Sequence, residues 1–98
     1  MFPLQTIDQI SRIKKGDTLT LHNENPDGRY RAIYDLVGYI DTSFIVIEIS
    51  KLNEGNPQSS VFALRLTHPE PKTVNPLEVK LDERELLDGC WHWSPLLH

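Results

Sequence analysis

Apolar positions in this chain recur with two different periods. Ile7, Ile10 and Ile13 return every third residue near the N-terminus, which puts them on one stripe of a short helix. Thr6-Ile7-Asp8-Gln9 reads as a capping box: the Thr6 hydroxyl can accept from the amide of residue 9 while Gln9 reaches back to Thr6. Leu4 and Ile10 flank it at roughly staple spacing. Lys14 and Lys15 suit a last turn, where carbonyls point outward, and Gly16 suits the left-handed residue beyond it. The pattern predicts a helix over 6–15, too short to stand without docking on a core.

From Thr18 onward the period is two. Thr18 to His22 alternates and predicts a strand. Asn23 to Gly28 is dense in turn formers and predicts a loop. Tyr30 to Asp41 reads as a long strand, with Tyr30, Ala32, Tyr34 and Leu36 on one face and Arg31 and Asp35 on the other. The phase breaks near Gly38, which suggests a bulge or bend. Asp41-Thr42-Ser43 reads as a turn. Phe44 to Lys51 is rich in β-branched residues and predicts a central strand, with Ile45, Ile47 and Ile49 opposite Phe44, Val46 and Glu48. Asn53 to Pro57 is the next loop. Ser60 to Thr67 alternates again, with Phe62, Leu64 and Leu66 inward and Ala63 and Arg65 outward. His68 to Lys72 holds two prolines that cannot donate to a sheet interior. Leu77, Val79 and Leu81 mark a further strand. Asp82 to Glu85 repeats the capping-box pattern, and a helical turn is predicted over 83–88 with Gly89 as its stop. The tail Cys90 to Pro95 predicts a sixth short strand with both tryptophans on one face.

This order predicts one domain over residues 1–98: a helix over 6–15, a β-barrel over 17–82, and a helical turn with an aromatic C-terminal segment over 83–98. The expected fold is mainly β, a small five- to six-stranded partly open barrel of SH3-like, Sm-like or OB type. Gly16 to Leu21, Gly28 to Arg31, Val37 to Ile40 and Phe44 to Ile47 together resemble the N-terminal domain of flagellar-brake proteins. Those are β-barrels that precede a cyclic-diguanylate-binding domain. The chain lacks the Arg-x-x-x-Arg signature of that binding domain, so the resemblance implies a barrel and no ligand. Leu36 to Asp41 resembles the first Sm motif, and a helix followed by five curled strands is similar in order to the Sm-like fold. No second Sm motif follows, so this resemblance also implies only a fold.

The 98 residues carry 10 Lys+Arg against 14 Asp+Glu, a net charge of −4. That balance disfavours a polyanion binder acting through its overall field. The hydrophobic fraction of 39% lies in the globular range. The longest apolar run, Phe44 to Ile47, is far below the ~18 residues of a membrane span. The first residues lack the basic and apolar regions of a signal peptide. The expectation is a cytoplasmic protein with one reduced thiol, Cys90, and no disulfide or multi-cysteine zinc site.

Candidate chemistry is sparse. Cys90 and His92 share a face of an extended segment, yet no third group is placed to orient them as a nucleophilic pair. His22, His68, His92 and His98 lack metal-ligand spacing. Asp82, Glu83 and Glu85 are explained by helix N-terminal preference, and Asp8 and Asp17 lack a recognisable catalytic motif. No enzyme, cofactor or metal is expected. Arg29, Tyr30 and Arg31, with Lys14 and Lys15, mix cations and aromatics as single-strand nucleic-acid binders do. The plainer alternative is that the tyrosines line the core.

Trp91 and Trp93 are costly to leave in water. They either cap the end of the barrel or anchor a partner, since tryptophan is enriched among interface hot spots. The leading expectation is a small acidic, non-enzymatic protein-interaction module, such as an adaptor, inhibitor or immunity-type protein. Trp91, Trp93 and Tyr39 would be its anchors, and Arg29, Arg31 and Glu48 its rim, with acidic residues steering a basic partner. The alternative is a nucleic-acid-associated barrel using Lys14, Lys15, Arg29, Tyr30 and Arg31. No membrane partner is expected. A second copy of the chain could pair through a strand edge or the C-terminal tail.

Overall fold

The structure, a computed structural model, describes residues 2–22, 28, 30–51, 60–68 and 77–96. The chain runs β1 (Phe2–Pro3), α1 (Ile7–Arg12), β2 (Thr18–His22), α2 (Arg31–Val37), β3 (Asp41–Lys51), β4 (Ser60–His68), β5 (Glu78–Asp82), α3 (Glu83–Leu86) and β6 (Trp91–Ser94). The six strands form one antiparallel sheet in the order β1-β6-β2-β3-β4-β5. The fold is mainly β, and the sheet is not closed into a barrel. Of the expected loops, 53–57 lies outside the described residues, as do 23–27 of the loop over 23–28 and 69–72 of the segment over 68–72; His68 itself ends β4 and lies opposite Ser43.

Register explains which face is buried. Leu19 lies opposite both Phe44 and Trp93, Leu21 opposite Trp91, Val46 opposite Leu64, and Phe62 opposite Leu81. These side chains share one face and join Leu4, Ile10, Ile13, Val37 and Leu86 in a single core cluster. The three helices therefore supply cover for that face. The other face carries Thr18, Thr20, His22, Ser43, Arg65, Glu78, His92 and Ser94, as the alternation of strands requires. Its polar pairs include Thr20 with Ser43 at 3.1 Å and Arg65 with Glu78 at 2.7 Å.

Local signals hold where they are strong. Both capping boxes form, Thr6 with Gln9 and Asp82 with Glu85. Phe62, Leu64 and Leu66 face inward as expected, and both tryptophans lie on the core face of β6. β3 is an interior strand. The registers of β3 and β4 shift between Ser43 and Phe44 and between Val46 and Glu48. Before the second shift Phe44 and Val46 lie opposite core residues Leu66 and Leu64, and after it Ile49 lies opposite core residue Phe62, although Ile49 itself is exposed. A one-residue irregularity of this kind exchanges the faces and strengthens the local bend.

The main correction concerns Tyr30 to Asp41, expected as one long strand. Residues Arg31–Val37 are a helix, and Gly38 closes it with φ of 74° and an amide that donates to the Tyr34 carbonyl at 2.6 Å. Tyr30, Ile33 and Val37 are spaced as i, i+3 and i+7, and all three meet the core. Both periods fit this stretch, and docking on the sheet selects the helical one. Leu36 and Val37, part of the stretch resembling an Sm motif, accordingly lie in a helix. Gly38 is a helix stop and not a strand bend. Asp41-Thr42-Ser43, expected as a turn, opens β3 and pairs with β2.

Two helices are shorter than expected. The 6–15 helix ends at Arg12, with Ile13 extended at ψ of 132°. Residues 14–17 instead form a turn in which the Asp17 amide donates to the Lys14 carbonyl at 3.0 Å. Gly16, at φ of 98°, belongs to that turn and not to the helix end. The helical turn expected over 83–88 spans Glu83–Leu86.

Candidate functional site

Asp17 organises one end of the molecule. Its carboxylate Oδ2 accepts from the Lys14 amide and from the Trp93 indole Nε1, each at 2.9 Å. Its Oδ1 accepts from the Leu96 amide at 2.8 Å. Burial alone would raise the Asp17 pKa, but the donors from Leu96, Lys14 and Trp93 and the nearby Lys14 ammonium hold it below its ordinary value. The carboxylate thus ties the turn after α1 to the segment after β6. Gly16 makes room for this closure, since a Cβ there would stand 3.1 Å from Leu96 Cδ2.

Beside the clamp lies an open groove of about 460 Å3, lined by Ser11, Arg12, Lys14, Asp17, Trp93, Pro95 and Leu96. Trp93, Pro95 and Leu96 form an apolar wall, continued by Phe2, whose ring lies 6.1 Å from that of Trp93. Arg12 and Lys14 contribute cations, and Lys15 follows them on the surface. Leu96 is 51% exposed although its amide is clamped.

The expected anchors separate in space. Trp93 is 8% exposed and lines the groove. Trp91 is 1% exposed and belongs to the core, where its indole donates to the Tyr30 hydroxyl at 3.0 Å and its ring meets those of Tyr30 and Phe44. Tyr39 is 58% exposed beside exposed Ile40, just before Asp41. Asp41 pairs with His22, the far end of β2 from Thr18. Five residues of strand span about 13 Å between those ends, so Tyr39 lies at the opposite end from the groove. Glu48 is exposed on β3 opposite Ala63.

The Arg/Tyr set fares differently residue by residue. Tyr30 is buried, and its hydroxyl donates to the Asp88 carboxylate and lies 3.3 Å from the Glu85 carbonyl. Its ring is therefore occupied in packing. Arg31 lies 3.6 Å from Asp35 on the exposed side of α2. Arg29 lies outside the described residues. Lys14 and Lys15 are exposed near the groove.

Cys90 packs partly against the core, and its carbonyl accepts from the His22 amide at 2.7 Å. His92 instead meets His22 edge to face, with ring centroids 6.5 Å apart. His22 also bonds Asp41 through Nδ1. Among the described residues no three His, Cys, Asp or Glu side chains are grouped to hold a metal ion. Among the described residues no helix is long and apolar enough to cross a membrane.

Arg12 carries no site signal in its sequence, Asp17 is met there only as an acid without a catalytic motif, and Pro95 and Leu96 are met as an apolar tail able to dock on a partner or a second copy. The apolar Pro95-Leu96 after an aromatic strand was a signal for part of this surface. The Asp17 clamp left none, because its partner Leu96 is 79 residues away. Comparison with known proteins finds no matching family model, no matching curated protein and no matching solved structure.

Proposed function

We propose that the chain is a small non-enzymatic protein-interaction module that meets a protein partner at the Trp93–Leu96 groove. The observation that carries this reading is Leu96, an exposed apolar residue whose backbone amide is held by a buried carboxylate. A backbone already fixed loses little further entropy on binding, which lowers the cost of covering the side chain. Phe2 and Pro95 extend the surface, and Trp93 supplies an aromatic floor of the kind enriched at hot spots. Tyr39 and Ile40 offer a second, separate apolar contact.

Cytoplasmic residence belongs to the same proposal, supported by the single Cys90, which forms no intramolecular disulfide. The finer kinship with partly open SH3-like, Sm-like or OB-type barrels is supported by the register shifts of the β3–β4 pair, irregularities of the kind that bend strands in such barrels. A second copy joining at β1 or β5, the sheet's edges, is a further proposed partner. The nucleic-acid alternative draws on Lys14 and Lys15 but lacks a free Tyr30 ring.

A photo-crosslinking amino acid placed at Leu96, and separately at exposed Lys51 as a control, tests the proposal in source-cell lysate. A stoichiometric, nuclease-resistant protein adduct formed from position 96 and not from 51 is the expected result. No adduct at 96, or equal labelling at both positions, overturns it.

A further inference from the structure

The groove has two unlike walls. Trp93, Pro95 and Leu96 present carbon, and Arg12 and Lys14 present positive charge, with Lys15 next in the chain. Among the described residues none of these three cations makes an ion pair within 4 Å, although the Lys14 ammonium is near enough to Asp17 to lower its pKa. Asp8, one helical turn before Arg12, does not pair with it. Asp17 is the anion in the groove, yet both its oxygens are filled by the Lys14, Trp93 and Leu96 donors. Local charge here is opposite to the net charge of −4.

We infer that the groove takes a segment of the partner protein in which carboxylate side chains flank a large apolar one. The apolar side chain lies against Trp93 and Leu96, and the carboxylates face Arg12, Lys14 and Lys15. The volume of about 460 Å3 falls in the range of small-ligand clefts, roughly 300–1,000 Å3, and so suits the side chains of a short segment. This inference rests on the interaction reading above and reverses the expectation of a basic partner. The whole-molecule field favours a cationic peptide, so preference for an anionic one can come only from the local rim.

The test uses three N-acetylated octapeptides, each with two leucines among six identical polar residues: glutamate, glutamine or lysine. Binding to the full chain is read by tryptophan emission, since Trp93 lines the groove while Trp91 is buried. The glutamate peptide is expected to bind about tenfold more tightly than the glutamine peptide, the yield of a few solvent-exposed charge pairs. Arg12→Glu with Lys14→Glu should reverse the order of the glutamate and lysine peptides, and Leu96→Ser should weaken all three. Equal binding of the three peptides, or preference for lysine, overturns the inference. If Leu96→Ser still weakens binding in that case, the interaction reading stands without it. No glutamate-peptide binding up to about 1 mM, the weak limit of useful affinity, overturns it as well. Tighter binding of oligothymidylate than of the glutamate peptide, lost in the Arg12→Glu, Lys14→Glu variant, overturns it in favour of a nucleic acid.

Discussion

At the scale of single residues, two side chains hold the ends of the chain to its middle. Asp17 binds three donors, one from its own turn and two from the distant segment 93–96, and hydrogen bonds to a charged acceptor are worth about 1.5–3 kcal/mol each. Because its folded pKa lies below the ordinary value of 3.8, its stabilisation is complete above that pH and is lost as the pH falls through the folded value. Asp17→Asn should cost about 2 kcal/mol at neutral pH and flatten the acid limb of the stability curve below about pH 4, as urea titrations across pH would show. Trp91 is the other. Trp91→Ala should cost about 3–5 kcal/mol, which is much of the total for a domain of this size. Tyr30→Phe, which deletes the oxygen accepting from the Trp91 indole, should cost about 1–2 kcal/mol in thermal or urea unfolding. Should Trp91→Ala unfold at the wild-type midpoint, Trp91 would not be a core residue.

At the scale of elements, α2 is the informative case. Its sequence alternates well enough to read as a strand, and its Arg31–Asp35 pair at i,i+4 adds only a few tenths of a kcal/mol to the helix. Burial of Tyr30, Ile33 and Val37 on the sheet decides the matter. Gly38→Ala tests the assignment. A Cβ at Gly38 meets nothing within 4 Å, so any loss comes from the left-handed backbone alone, about 1–2 kcal/mol. Had the segment been extended, the substitution would be neutral or mildly stabilising. The two capping boxes, by contrast, involve partners three residues apart. They were readable because every atom they need lies within one turn.

At the scale of the whole molecule, the last strand occupies an interior place. β6 lies between β1 and β2, so the sheet is incomplete until the chain's end is placed. A chain ending at Gly89 should show no cooperative urea transition, because among the described residues β1 loses its only strand neighbour and β2 one of two. Native-like unfolding of that truncation would mean that β6 is peripheral. Strand pairing over such separations must close long loops before it is rewarded, and folding is expected in milliseconds to seconds, about 1–1,000 s⁻¹. Stopped-flow tryptophan emission would measure it through buried Trp91 and Trp93.

What the amino-acid order determined by itself was local. The caps at Thr6 and Asp82, the strands Thr18–His22 and Ser60–Thr67, the inward set Phe62, Leu64 and Leu66, and the two tryptophans on one face all follow from contacts or alternation within a few residues. Tertiary structure decided the rest. It made 31–37 a helix, left the sheet open, buried both tryptophans in the core with Trp93 at the margin that lines the groove, and put Tyr39 at the other end. The groove itself exists because Asp17 reaches across 79 residues to Leu96 and 76 to Trp93. Periodicity reports which side of an element is apolar, but only the packed neighbour determines what that side meets.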